Sequence, residues 1–404
     1  MRLRAEIPYG VYWSTPFLKW QGKLRDLHAI RLAAHIGKEA LAAREIDGAA
    51  LDFSVLGMTV FQKGAFYGAP WLSGMMGLNT ISGPTISQAC ATGVRSILTG
   101  AMEIESGMAN AALILTCDRI SNGPHITYPS TSSPGGLADH ENPVIDNINC
   151  DPLGGHSMLT TAENVARKHG VSTAEQHEVV LRRTAQYRDA LTNDRAFQRR
   201  YMTDGYAIPS ADFRKTVGTF DGDEGVVLST EEGLARLKPV MAGGTVTFGG
   251  QTHPADGNAA IVLAEAGRAR AMSKRPDIQI TLEGFGQSRA ELAHMPEAPL
   301  EAARKALAQA GITIAELDAI KSHNPFAVND IVFARETGCD VMAMNNFGSS
   351  LIWGHPQGPT GVRGVIELIE ELVLRGGGTG LFQGCAGGDT AMAVVIRVDA
   401  RQGS

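Results

Sequence analysis

The chain alternates apolar runs with polar breaks in two stretches of the same rhythm, held apart by a polar interval. In the first stretch, LRDLHAIRLAAHIGKEALAAREI (25–47) spaces apolar residues at helical intervals with Arg, Lys and Glu between them, which predicts an amphipathic helix. ALDFSVLGMTV (50–60) predicts a buried strand, and a helical pattern follows near 67–77. GPTISQACATGVR (83–95) then carries a short β-branched run, Thr85-Ile86, into a turn, and an Ala-rich helical pattern covers 92–106. AALILTC (111–117) is a nearly continuous apolar run, as in a strand covered on both faces. Residues 1–30 read as a short strand and a loop of mixed charge, TPFLKWQGKLRD.

After residue 120 the pattern breaks. SNGPHITYPSTSSPGGLADHENP (121–143) is loop chemistry. Helices are expected at 157–169 and at 173–193, the latter opened by Ser172-Thr173 with Glu175 close behind, a cap-like start. A charged stretch runs 194–238, and the interval as a whole reads as an insertion. From 239 the first rhythm returns: a buried strand and turn in DGNAAIVLAEAGRARA, a strand at 280–288, a helix at 298–310, a strand at 317–323, an amphipathic helix at 362–375 and two apolar runs within 378–399 joined by a Gly-rich turn holding Cys385. Helices alternating with buried strands predict an α/β layered fold, and the shared layout of the flanks is compatible with an internal duplication.

Composition narrows the function classes. At 404 residues the chain holds two or three domain-sized units, and a net charge of −6 leaves no basic footprint for nucleic acid. Five cysteines without a CxxC pair argue against a disulfide framework or a zinc knuckle and fit reduced thiols. No apolar h-region or membrane-length apolar run occurs, so a cytoplasmic protein with no membrane partner is expected.

Four Gly/Pro-bounded turns display reactive groups: Cys90 in ACATG, His323-Asn324-Pro325-Phe326 at a strand end, Gly354-His355-Pro356 before a helix, and Cys385 in CAGG. Cys90 stands where a strand end meets a helix start, and the helix dipole there is expected to lower its pKa; the alternative is a small buried hydrophobe. Two thiols and two imidazoles supply a nucleophile, its base, an acid/base thiol and an oxyanion donor, while Gly387 and Gly388 allow close approach to backbone N–H groups. That set suits acyl transfer through a thioester, followed by making or breaking a carbon–carbon bond. A metal site is not expected, because the four groups are far apart in sequence.

In order, CATG, HNPF, GHPQGPTG and CAGGDTAMA resemble the signature blocks of the thiolases. TPFLKWQG, TTAENVA (160–166), DEGV (223–226), LKPV and GTVTFGG extend the resemblance along nearly the full chain. The resemblance implies two similar α/β/α/β/α layered halves with an inserted loop domain: residues 1–120 with 245–268, the insert 121–244 contacting coenzyme A, and 269–404. It implies an acyltransferase that cleaves a 3-oxoacyl-CoA with CoA, or runs the reverse Claisen condensation. Cys90 would be the acylated nucleophile, His355 its activator and Cys385 the acid/base at the α-carbon. His323 falls where many members have the Asn of an Asn-Glu-Ala-Phe block, and a His there is similar to the sterol-carrier-protein-type thiolases, with Asn324 in support; the N–H groups of Cys90 and Gly387 would form the second oxyanion hole. Ser157, Met158, Gln251 and Phe326 fall at pocket positions. The departures at Asn324-Pro325, Gln251-Thr252-His253 and Ser157 imply a differently shaped pocket, for a branched or aromatic acyl chain. Arg182, Arg183 and Lys215 are candidates for the CoA phosphates. No permanently bound cofactor is implied, CoA and acyl-CoA being substrates. The resemblance further implies a homodimer or dimer of dimers, with a small zinc-finger/OB-fold partner subunit as one variant. The alternatives are a decarboxylating, synthase-like condensing enzyme and a non-catalytic acyl-CoA-binding subunit.

Overall fold

The computed structural model describes residues 3–130, 135–136 and 138–400; residues 131–134 and 137 of the expected 121–143 loop lie outside the described residues. Its backbone is one eleven-stranded sheet formed from two half-sheets. One half holds Phe53–Gly57, Thr85–Ile86, Ala111–Arg119 and Ala255–Glu265; the other holds Ile278–Arg289, Ala319–His323, Gly377–Ala386 and Thr390–Ala400. The short strand Ala5–Glu6 bridges them, pairing with both Ala255–Glu265 and Ile278–Arg289.

The period-2 geometry of the strands explains the layering. In Ala111–Arg119, Leu113 and Leu115 face the outer helices Ala29–Ala43 and Ala69–Met76, whereas Ala112 and Ile114 face a central helical layer. In Thr390–Ala400, Ala391, Ala393 and Val395 face outward against Ala298–Ala310 and Ala327–Thr337, and Val394, Ile396 and Val398 face the same central layer. That layer consists of two helices, Thr92–Glu105 and Gly358–Leu374, packed between the half-sheets. The result is the α/β/α/β/α stack expected from the sequence. Backbones in the central layer nearly touch: a Cβ on Gly93 would meet the Val362 nitrogen at 2.7 Å. Glycine there is a packing requirement.

The predicted amphipathic helix near 362–375 needs correction. Gly358–Leu374 has no solvent face: Arg363, Glu367, Glu370 and Glu371 are all buried. Its polar stripe is neutralised internally, with Arg363 forked onto Asp223 at 2.6 and 2.8 Å and Glu367 on Lys321 at 2.9 Å. Buried charge is tolerated because each partner is present. Elsewhere, Ser172 and Glu175 form the expected capping box of Thr173–Arg195, which breaks at Thr192–Asp194. The Gly-Arg-Ala stretch after 265, expected as a turn, is the helix Ala266–Met272, and Cys385 lies in the strand Gly377–Ala386 instead of in the turn after it.

Candidate active site

The site forms where the N-termini of the two central helices meet the strand ends of the second half-sheet. Cys90 precedes Thr92–Glu105, and the residue before it, Ala89, has φ +44°, a left-handed conformation that turns the chain sharply. His355 and Gln357 precede Gly358–Leu374 in the same way. His323 ends one strand, and its register partner in the parallel neighbour is Gly384, where a Cβ would meet the His323 Cβ at 2.8 Å. That glycine lets the two strand ends, and so His323 and Cys385, come together.

Around Cys90 the sulfur stands 3.1 Å from His355 Nε2, and its S–H donates to Gln357 Oε1 at 3.1 Å. The other ring nitrogen of His355 is fixed by the Thr360 hydroxyl at 2.7 Å. The backbone N–H groups of Gly387 and of Cys90 itself act on the sulfur, each favouring the thiolate. Cys385, fully buried, accepts a hydrogen bond from the Asn329 amide at 3.2 Å. The His323 ring stacks on His355 with centroids 4.1 Å apart. Its Nδ1 meets the Ser350 hydroxyl at 2.8 Å, while its buried Nε2 has no protein partner. The Ser350 hydroxyl reaches both Nδ1 and Asn324 Oδ1, the latter at 3.2 Å, and Asn324 Oδ1 also accepts the Leu351 N–H at 3.1 Å. When the hydroxyl donates to Nδ1, His323 presents Nε2–H to the site, as an oxyanion donor must.

Burial, not the helix dipole, governs the resting charges. Loss of water pushes the Cys90 thiol up to about 12, with the Asp118 carboxylate adding to the rise, which corrects the expected lowered value. Burial likewise drives His355 down to about 3, His323 well below the imidazole range and Cys385 upward, the last aided by Cys90. The free site is therefore a neutral thiol beside a neutral imidazole. Proton transfer must be drawn out by the developing bond to substrate.

A cavity of about 470 Å³ opens onto Cys90 and His355, while His323 and Cys385, next to them, are not among the residues that line it. Cys90, His355, Gln357 and Gly387 form its polar end, and Ile120, Val144, Ile145, Ile148 and Met295 are among its apolar walls. Of the expected pocket residues, Met158, Gln251 and Phe326 line it. The others need correction. The Ser157 hydroxyl is used as the N-cap of Met158–His169, accepting from the Thr160 N–H at 3.1 Å, and does not line the cavity. Arg183 is fully buried against Asp330 at 3.0 Å, and Arg182 donates to the Met342 carbonyl at 2.8 Å; neither they nor Lys215 reach the cavity. Asn324 does not line the cavity; its side chain bonds Ser350, the Leu351 N–H and Asp330. The argument from sequence separation against a metal also does not stand: the fold brings donor atoms of Cys90, His323 and His355 within 4.8 Å of one another. Sequence reasoning missed Asn329, Ser350, Gln357 and Thr360. Gln357 and Thr360 lay inside the quoted GHPQGPTG block, whose polar side chains at a helix start were the available signal.

Comparison with known proteins fits this geometry. Residues 13–267 match the family described as "Thiolase, N-terminal domain", and residues 277–398 match "Thiolase, C-terminal domain". The chain is 29% identical over 387 residues to the acetyl-CoA acetyltransferase of Escherichia coli (strain K12), covering 93% of this chain and 95% of that protein. It is 28% identical over 393 residues to the mitochondrial 3-ketoacyl-CoA thiolase of Homo sapiens, covering 95% and 96%. The crystal structure of the human mitochondrial enzyme in complex with CoA superimposes with a TM-score of 0.87 at 27% identity, over 98% of this chain and 99% of that one. The acetyl-CoA acetyltransferase of Bacillus anthracis superimposes with a TM-score of 0.88 at 25% identity. With both family domains matched in order around a paired thiol and imidazole, the chain belongs to the thiolase family and is an acyltransferase acting on CoA thioesters.

Proposed function

We propose that this thiolase works through an acyl-Cys90 intermediate, with His355 as its base, Cys385 as the acid/base at the α-carbon, and two oxyanion holes. The observation that carries the reading is the 3.1 Å contact between Cys90 Sγ and His355 Nε2 at the polar end of an apolar cavity. In thiolysis, the Cys90 sulfur attacks the 3-oxo carbon as its proton passes to His355. The N–H groups of Cys90 and Gly387 receive the oxyanion. The C2–C3 bond breaks, its electron pair goes to C2, and the enolate oxygen faces His323 Nε2. Cys385 then protonates C2, and acetyl-CoA departs, leaving the shortened acyl group on Cys90. An incoming CoA thiol gives its proton to the Cys385 thiolate and attacks the acyl-Cys90 thioester, and the expelled Cys90 sulfur recovers its proton from His355. Condensation is the same sequence reversed.

The walls of Ile120, Val144, Ile145, Ile148 and Met295 favour an apolar acyl chain, branched or aromatic, over an acetyl group. A panel of 3-oxoacyl-CoA thioesters, assayed by thiolysis, ranks these chains directly. For the intermediate itself, the protein is incubated with acyl-CoA and the acyl mass located on a Cys90 peptide. Cys90→Ala should lose both label and turnover; turnover at the native rate would remove the nucleophile assignment. Assembly as a homodimer or dimer of dimers, read by light scattering, belongs to the same proposal.

A further inference from the structure

Gln357 stands on the reacting sulfur as closely as the base does. Its Oε1 is 3.1 Å from Cys90 Sγ, the same distance as His355 Nε2, and the residue is only 9% exposed. Its backbone has φ +66° and ψ −105°, a left-handed conformation that a residue with a side chain holds only under restraint. The restraints are visible. The Gln357 carbonyl accepts the Thr360 N–H at 3.2 Å, and the next N–H, that of Gly358, donates to Asp118 at 2.9 Å. Strained backbone, pinned on both sides, places one amide on one sulfur.

We propose that the Gln357 amide is a third catalytic group on Cys90, a two-position partner that holds the thiol when its oxygen faces sulfur and holds the thiolate when its N–H₂ does. The proposal rests on the reading of Cys90 as nucleophile. Counting protons gives the two positions. In the first, His355 Nδ1–H donates to the Thr360 hydroxyl, the Nε2 lone pair faces Sγ, and S–H donates to Gln357 Oε1; none of the groups is charged. In the second, Nδ1–H donates to Thr360, the thiol proton has moved from Sγ to Nε2, and a half-turn of the amide directs an N–H to the thiolate. The half-turn exchanges two nearly isosteric atoms, so it needs no extra room. No atom or electron is gained or lost. The other groups around the sulfur are His323, Cys385, Asp118 and the N–H groups of Cys90 and Gly387. Of these, the Asp118 carboxylate opposes the thiolate, and an amide that turns from acceptor to donor offsets it.

The test follows iodoacetamide alkylation of the intact protein against pH, with label at Cys90 located by peptide mass spectrometry. Gln357→Met keeps the length and removes both hydrogen-bonding atoms; Gln357→Glu keeps the shape and offers only acceptors. Gln357→Met should raise the pH midpoint of Cys90 alkylation by about one unit, slowing labelling at neutral pH about tenfold, and Gln357→Glu should raise it further. Thiolate absorbance in the ultraviolet, corrected with Cys90→Ala, should move in the same order. Cys90 labelled normally in Gln357→Met, with an unmoved or lowered midpoint, overturns the proposal while leaving the nucleophile reading intact. Cys90 left unlabelled in the native protein, with Cys90→Ala still active, overturns both.

Discussion

The two cysteines that meet at this site are buried to different ends by the two halves of the molecule. Cys90 stands before a central helix with a base and an amide on its sulfur, and it borders the cavity. Cys385 lies near the end of an interior strand, fully buried, and its partner is the Asn329 amide donor at 3.2 Å. Burial raises both thiols, so burial does not separate their roles. The neighbours do. An imidazole can accept the Cys90 proton as the sulfur attacks, which makes a nucleophile. Asn329 can stabilise a Cys385 thiolate but cannot accept a proton, so that proton has to travel to and from substrate.

Removing each partner should break this division in a different way. His355→Ala takes the base from Cys90 and should lower kcat for thiolysis by about 10³-fold or more, with acyl-enzyme no longer accumulating in mass spectra. Cys385→Ala should stop overall turnover to a similar degree yet leave Cys90 able to take an acyl group. Exchange of the acetyl-CoA methyl protons with deuterated solvent, followed by NMR, should vanish in that variant, and persistent exchange would contradict the assignment. Asn329→Leu removes one donor to sulfur. A loss of about tenfold to a hundredfold is expected in that exchange, with Cys90 alkylation unchanged.

The same contrast shows what could be read from the chain. Layer order was legible because strand faces and helix faces obey fixed periods, and the Ala298–Ala310 helix appears at the residues its pattern predicts. The reactive groups were legible because each has Gly or Pro close by in sequence, although His323 and Cys385 turn out to lie in strands, near their ends. The burial of Gly358–Leu374 was not, because Arg363, Glu367 and Glu370 look like a solvent stripe until Asp223, Lys321 and Arg200 arrive from distant segments. For the same reason Arg183 read as a surface cation although Asp330 holds it in the core. Local pattern reports period and turn chemistry. It is silent about which charge meets which between distant segments, and about the burial that sets the sign of the Cys90 shift.

The smallest effect separates the two corners through stability. His355 has an ordinary value of 6.5 and is held near 3 in the fold by burial, so it stays neutral where the unfolded chain binds a proton. Its stabilising contribution is present above pH 6.5 and is lost as pH falls toward 3, at about 1.4 kcal/mol per unit, or about 3 kcal/mol by pH 4.5. Asp118 runs the other way: burial raises it to about 7, so its contribution is present below the ordinary carboxylate range and is lost as pH rises through 7. Both groups lie at the Cys90 corner, whereas the Asn329 partner of Cys385 does not titrate in this range. Thermal unfolding at pH 4.5 and pH 7 should therefore show a smaller acid loss in His355→Gln than in the native protein and a larger one in Asp118→Asn. The difference should be about a few degrees in Tm for a chain of this size. Asn329→Leu should shift both temperatures equally and leave the pH difference as it was. An equal flattening by Asn329→Leu and His355→Gln would mean that the two corners titrate as one, and that the division of labour between the thiols is not built into their surroundings.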